Sequence, residues 1–226
     1  MDERYLRTIS LLGEEAFLKL KTSHVAVFGI GGVGGHLVEA LARSGVGTLS
    51  LFDMDDVSIS NINRQAVAYI STLGVAKVDV MKEKILDIDP SIKVHAHKLF
   101  YLPETADDVD LSAFDYIGDA IDNISAKLEL ITRAKKNHTP IISAMSAGNK
   151  LDATRFEVSD IKNTSVCPIA RIMRKELKSR DIDELKVVYS KEPPVISSRE
   201  VASVAFVPSV MGLIMAGEIV RDITGK

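Results

Sequence analysis

Cysteine is almost missing from this chain. Cys167 is the only one in 226 residues, which excludes an intrachain disulfide framework and any zinc site built on paired CxxC ligands. Also missing is any apolar run of about 18 residues, the length a membrane-spanning helix needs. Neither sign of charge dominates: Lys+Arg number 28 against 31 Asp+Glu, a formal net charge of -3. A bulk polycation is thereby excluded, so any contact with nucleic acid has to come from a local patch. The opening Met1-Asp2-Glu3-Arg4 has no basic-then-apolar leader, and there is no internal repeat or low-complexity tract. Together these absences predict a cytoplasmic protein with no membrane segment and no secretory signal. What the chain does have is apolar content, 46%, enough to bury a substantial core. Its length fits one domain over residues 1–226.

The rhythm of the chain predicts an α/β fold. Residues 4–21 read as short helical pieces, with Ile9, Leu12, Phe17 and Leu20 as their apolar positions. His24-Val-Ala-Val-Phe-Gly29 is a buried-strand pattern ending in glycine. A helix follows from Val33 to Ser44, stopped by Gly45-Val-Gly47, and then a strand over 48–53. Further helices are expected at 75–88 and 126–136, with strands at 93–98, 116–118 and 140–144. Strands alternating with helices in this way imply a Rossmann-like, mostly parallel sheet with helices on both faces. A C-terminal extension adds a strand at 154–158 and helices at 168–179 and 204–224. The stretch 181–202, with Pro193-Pro194 and Ser197-Ser198, reads as a mobile loop.

Gly29-x-Gly31-Gly32-x-Gly34 lies between a strand and a helix, where glycines let the backbone turn and let an anion approach the free N–H groups of the helix start. Asp53 ends the next strand, in position to accept hydrogen bonds from ribose hydroxyls. These features point to a nucleotide, with ATP and NAD both open. A triphosphate carries more charge than a dinucleotide, and its cleavage needs cations on the leaving pyrophosphate. Arg64 and Lys77 supply candidates. Asp122, at the C-terminal edge of the sheet, is placed to hold Mg2+ through its carboxylate and waters. Taken singly, each of these has a plain reading as a surface ion pair, a solvated helix start or a helix cap.

In combination they carry a resemblance. Arg4-Tyr5-x-Arg7, the glycine loop, Asp53-x-Asp55, Asn61-x-Asn63-Arg64-Gln65, Gly74-x-x-Lys77 and Asp119-x-x-Asp122-Asn123 resemble the ThiF/MoeB/HesA superfamily, adenylating relatives of the ubiquitin-activating enzymes. The resemblance implies attack by a carboxylate on the α-phosphate of ATP. It assigns Asp53 to the ribose, surrounds the phosphates with Asn61, Arg64, Gln65 and Lys77, and counts Asp55, Asn63 and Asn123 among the nucleotide-binding residues. The metal goes to Asp122, beside Asn123, and Arg7 serves as an arginine finger reaching into the neighbouring subunit of a homodimer. A carboxylate is already ionised at neutral pH, so this chemistry needs no general base. That agrees with the scattered histidines His24, His36 and His138, and with His95 and His97, which share a strand face but have no matching ligands.

The remainder of the chain, including Lys162-x-Thr164-Ser165-Val-Cys167-Pro168-x-Ala170-Arg171 and Phe206-Val-Pro208-Ser209, is similar to the tRNA threonylcarbamoyladenosine dehydratases. By that resemblance the activated acid is the threonine-derived carboxylate of a modified adenosine in tRNA, and the urea oxygen of the same group closes a ring with loss of water. A second reading is an adenylyltransferase acting on the C-terminal glycine of a ubiquitin-like sulfur carrier, although the two CxxC pairs usual in that branch are missing. A third is an NAD-binding oxidoreductase or a silent nucleotide-binding module. A sulfur-transfer protein is a possible partner, with Cys167 the only thiol available. The tRNA reading requires a basic face, and Arg171, Arg174, Lys175, Lys178 and Arg180 provide one opposite the apolar side formed by Ile169, Ile172, Met173 and Leu177. Lys135, Lys136, Lys150 and Lys186 are expected to extend it.

Overall fold

The computed structural model describes residues 2–196 and 201–226. Its centre is a seven-stranded sheet in the order β3-β2-β1-β4-β5-β7-β6. The strands are β1 His24–Phe28, β2 Thr48–Phe52, β3 Lys93–His97, β4 Tyr116–Asp119, β5 Ile141–Ala144, β6 Phe156–Asp160 and β7 Lys186–Ser190. All neighbours pair in parallel except β6 and β7, which are antiparallel. The helices are α1 Leu6–Leu12, α2 Glu14–Thr22, α3 Gly34–Ser44, α4 Lys77–Ile88, α5 Ile124–Lys136, α6 Pro168–Lys178 and α7 Phe206–Thr224. The expected Rossmann-like sheet, with its C-terminal extension, is therefore what forms.

Local chemistry sets the helix limits. Gly45 (φ 95) takes the left-handed conformation that closes α3, and its N–H returns to Leu41 and Ala42. Asn123 opens α5 by accepting the Ala126 N–H. Pro168 stands in the first turn of α6, where its missing N–H costs nothing.

Alternation along the strands divides the core into two layers. Val25, Val27, Leu49 and Leu51 pack with Leu37, Leu41, Met81 and Met215 of α3, α4 and α7. Ala26, Phe28, Phe52 and Ile117 join Leu130, Ile131, Met173 and Leu177 of α5 and α6. Strand order reverses between β1 and β4, so a crevice opens outside their carboxyl ends, where an open α/β sheet binds ligands. Late in the chain, α7 docks on α3 and sets Pro208 against the glycine loop, with its ring carbons 3.3–3.4 Å from the point a Cβ on Gly32 would occupy.

At the expected mobile loop the structure differs. Lys186–Ser190 is a strand, buried at four of its five positions and paired on both sides. A strand covered on both faces shows no polar/apolar alternation. The prolines just beyond it also mask its β-branched pair Val187-Val188. Of the expected loop, residues 197–200, which include Ser197-Ser198, lie outside the described residues. The 154–158 strand begins later than expected, at Phe156, after a short turn over Ala153–Arg155.

Candidate active site

The crevice at the β1/β4 reversal has a volume of about 510 Å³ and collects Gly29, Gly31, Gly32, Asp53, Asp55, Asn61, Arg64, Gln65, Lys77 and Asp122. Its floor is the glycine loop. Gly29 (φ +89) turns beneath Ala120, whose carbonyl oxygen lies 2.6 Å from where a Cβ would project, so only glycine fits. Gly34 does not line the crevice; it packs against the Gly29 carbonyl and lets α3 begin there. Among the described residues the N–H groups of Gly31 and Gly32 have no protein acceptor. They stand at the positive end of α3, which favours an anion.

Asp53 braces this loop. Its Oδ2 accepts the Ile30 N–H at 2.6 Å and its Oδ1 accepts the Asp55 N–H at 2.8 Å. Burial pushes the Asp53 carboxyl up from its ordinary value, and the nearby Lys77 ammonium and these N–H donors act against that shift. Lys77, at the start of α4, is buried to 4% exposure. Its Nζ lies 2.7 Å from Asp55 Oδ2 and 4.0 Å from Asp53 Oδ1. Arg64 donates through Nη1 to the Ser60 carbonyl at 2.8 Å and to Asn63 Oδ1 at 2.7 Å. The rest of its guanidinium has no protein acceptor among the described residues. Asn61 spends its side-chain oxygen on the Ser58 N–H at 3.0 Å. Two cations thus stand near an anion-binding loop, and a carboxylate platform lies beside them.

Across the crevice the Asp119–Asn123 stretch divides its tasks. Asp119 is fully buried, ion-paired with Lys127 at 2.8 Å and hydrogen-bonded by Ser143. Asp122 is exposed and faces the crevice. Asn123 does not reach it: its Oδ1 is occupied in capping α5 at 3.0 Å. Asn63 likewise orients Arg64 and donates to the Ser203 carbonyl at 3.1 Å rather than lining the crevice itself. Arg7 is exposed on α1 and belongs to no wall of this crevice.

The basic helix is narrower than expected. Arg171, Lys175 and Lys178 are exposed with no ion-pair partner among the described residues. Arg174 instead turns inward, donating to the Thr164 carbonyl at 2.8 Å and to its hydroxyl, and Arg180 pairs with Glu176 at 2.9 Å. Lys186 is held by Asp222 and Glu218 of α7, and Lys150 is buried on the Glu192 carbonyl, so neither extends the patch. Ile172 is 39% exposed, which places it outside the apolar side; Ala170 takes its place there. Cys167 is buried ahead of α6 at 2% exposure.

Sequence reasoning assigned no role to Lys127, although its spacing of four from Asn123 puts it on the first turns of α5. The crevice also takes in Tyr101, from an irregular stretch whose sequence carries no motif. His24 bonds Ser50 at 2.8 Å, and His97 stacks on Phe52 with centroids 4.5 Å apart.

Similarity to known proteins runs the length of the chain. The ThiF family model matches residues 3–226. The tRNA threonylcarbamoyladenosine dehydratase of Bacillus subtilis is 42% identical, over 99% of this chain and 95% of its own length. That of Escherichia coli is 38% identical over 78% of this chain and 66% of its own. The solved structures of Escherichia coli TcdA in complex with AMP and with ATP superpose with TM-scores of 0.93 and 0.91 at 32% identity, each covering 99% of this chain and 94% of theirs.

Proposed function

This chain belongs to the ThiF family, and from that premise we propose that it uses ATP to dehydrate threonylcarbamoyladenosine in tRNA, closing the threonyl side group into a ring. The observation that carries this reading is the convergence of the glycine loop, Asp53, Arg64, Lys77 and Asp122 on one crevice, in a chain similar from end to end to a dehydratase.

The α3 N-terminus receives phosphate oxygens, and Asp53 receives the ribose hydroxyls. A carboxylate oxygen of the substrate attacks the α-phosphorus, the bond to the β-phosphate breaks, and pyrophosphate leaves. Arg64 and Lys77 stabilise the charge that accumulates on the leaving group, a task for fixed donors in a site shielded from water. To do so Lys77 exchanges its contact with Asp55 for one with phosphate. In the second step the urea oxygen bonds to the acyl carbon and AMP departs with one carboxylate oxygen. The nitrogen proton is released, so the elements of water leave the nucleoside. The nucleophile is tethered, and that proximity replaces a catalytic thiol.

For a divalent cation, the residues present fit one that arrives with the nucleotide. Asp122 offers a single carboxylate, and no cluster of metal-ligating side chains occurs among the described residues. Mg2+ is commonly held by one or two carboxylates plus phosphates, and when bound it would neutralise phosphate charge. Arg7, exposed and not part of its own crevice lining, is assigned to the partner's site in a homodimer. Arg171, Lys175 and Lys178 form the surface offered to tRNA phosphates, in a cytoplasmic enzyme. Ile169, two residues before Arg171 and on the other side of α6, lines the crevice, so the helix that carries these cations adjoins the reaction centre.

Mass spectrometry of tRNA nucleosides after incubation with protein and ATP tests the proposal. The expected result is loss of one water from threonylcarbamoyladenosine, with AMP and pyrophosphate released in step. ATP–pyrophosphate exchange driven by a small carrier protein and not by tRNA would overturn it.

A further inference from the structure

Among the described residues, two buried side-chain oxygen atoms have no hydrogen-bond partner: Gln65 Oε1 and the Tyr101 hydroxyl. Both residues line the same crevice. An amide can be turned end for end, so the Gln65 oxygen says little by itself. Tyr101 has only one polar atom to place, and leaving it unpaired is costly.

Its ring is fixed. Tyr101 is 3% exposed and stands edge-on to Phe28, with centroids 5.0 Å apart. Phe28 in turn stacks on Phe52 at 4.3 Å. Burial holds the phenol up to about 12, so it keeps its proton and remains a donor. Position in the sheet says what it meets. The phosphate loop follows β1, Asp53 follows β2, and Tyr101 lies in the chain that leaves β3. A nucleotide with phosphates on the first and ribose on the second directs its base toward the third.

We propose that the Tyr101 hydroxyl is the polar contact for the nucleobase edge, and hence a residue that sets base preference, in an apolar subsite walled by Phe28, Phe52 and Leu99. This deepens the ATP reading above and rests on it. An unpaired buried hydroxyl that awaits a ligand has a distinctive signature: removing it does no harm to the free protein and weakens the complex.

The test compares wild type with Tyr101→Phe by nucleotide-free thermal melting and by calorimetric titration with ATP and with GTP, with inhibition by tripolyphosphate as a control that has no base. The expected variant melts at the same temperature or higher and binds ATP about tenfold more weakly, the weight of one hydrogen bond. It shows a narrowed preference for ATP over GTP and unchanged tripolyphosphate inhibition. Unaltered ATP affinity and preference, in a wild type that does bind ATP, overturns this inference alone. A lowered melting temperature also overturns it, because it assigns the hydroxyl a partner within the protein. A wild type that binds no ATP overturns the functional reading as well.

Discussion

Lys77 and Asp55 form an ion pair of 2.7 Å at the mouth of the crevice, although Lys77 is buried and Asp55 is 69% exposed. The lysine is therefore positioned by the fold and held by a partner that water can replace. Such a pair contributes little to stability, and its cation can transfer to a phosphate at small cost. Lys77→Ala is expected to abolish AMP formation, a loss of about 100-fold or more in kcat. Asp55→Ala should leave the melting temperature within a few degrees. A Lys77→Ala variant with wild-type turnover would remove the lysine from the phosphate site.

Asp122 is exposed and makes no ion pair among the described residues, so Asp122→Asn should fold as the wild type does, with a stability change of about 0.5 kcal/mol or less. Adenylation should fall by about 100-fold, and the dependence of the remaining rate on Mg2+ concentration should weaken. Circular dichroism and magnesium titration of AMP release check the two halves.

At the other end of α4, buried Asp89 gathers Arg4, Lys21, Tyr5 and Ser91. Burial alone would raise its carboxyl, but hydrogen bonds from Ser91, Tyr5 and Lys21 outweigh that and hold it well below the usual range. For a depressed carboxylate, the stabilisation is present above its unfolded pKa near 3.8 and is lost as pH falls toward the folded value. Wild-type stability should therefore decline steeply below about pH 4. Asp89→Asn should lose about 2 kcal/mol at neutral pH and show a flatter acid limb. Urea melts across pH measure both.

Replacing Arg171, Lys175 and Lys178 together by Gln should weaken tRNA binding at every salt concentration and lower the salt slope by up to about three units. ATP binding should be unaffected. Arg174→Gln behaves differently, because it frees Thr164 from its anchor: the melting temperature should fall. Filter binding over a salt series, beside thermal melts, separates these outcomes. An unchanged slope in the triple variant would move the RNA surface elsewhere.

The alternation of strands and helices, the glycine loop and most of the residues that converge on the crevice were legible because short-range chemistry dictates them. Gly29 must adopt a positive φ, β-branched runs form strands, and Asp53 must end one. Long-range partnership was not legible. Nothing in the string says that Arg174 turns to Thr164, that Lys186 meets Asp222 across α7, or that Lys150 is buried. A basic residue at helical spacing looks the same whether it faces solvent or a carbonyl contributed by another loop. The strand at Lys186–Ser190 was lost for a related reason. Its neighbours β5 and β6 bury it on both edges, and the prolines that follow it look like a loop. Tyr101 left no trace at all, since one aromatic residue in an irregular segment carries no period.

The seat of Pro208 against Gly32 joins a region near one end of the sequence to the turn behind the first strand. A ribosome delivers these parts far apart in time. Until α7 emerges and docks, the turn lacks its cover, so a nascent chain gains full grip on nucleotide only after every strand has been synthesised.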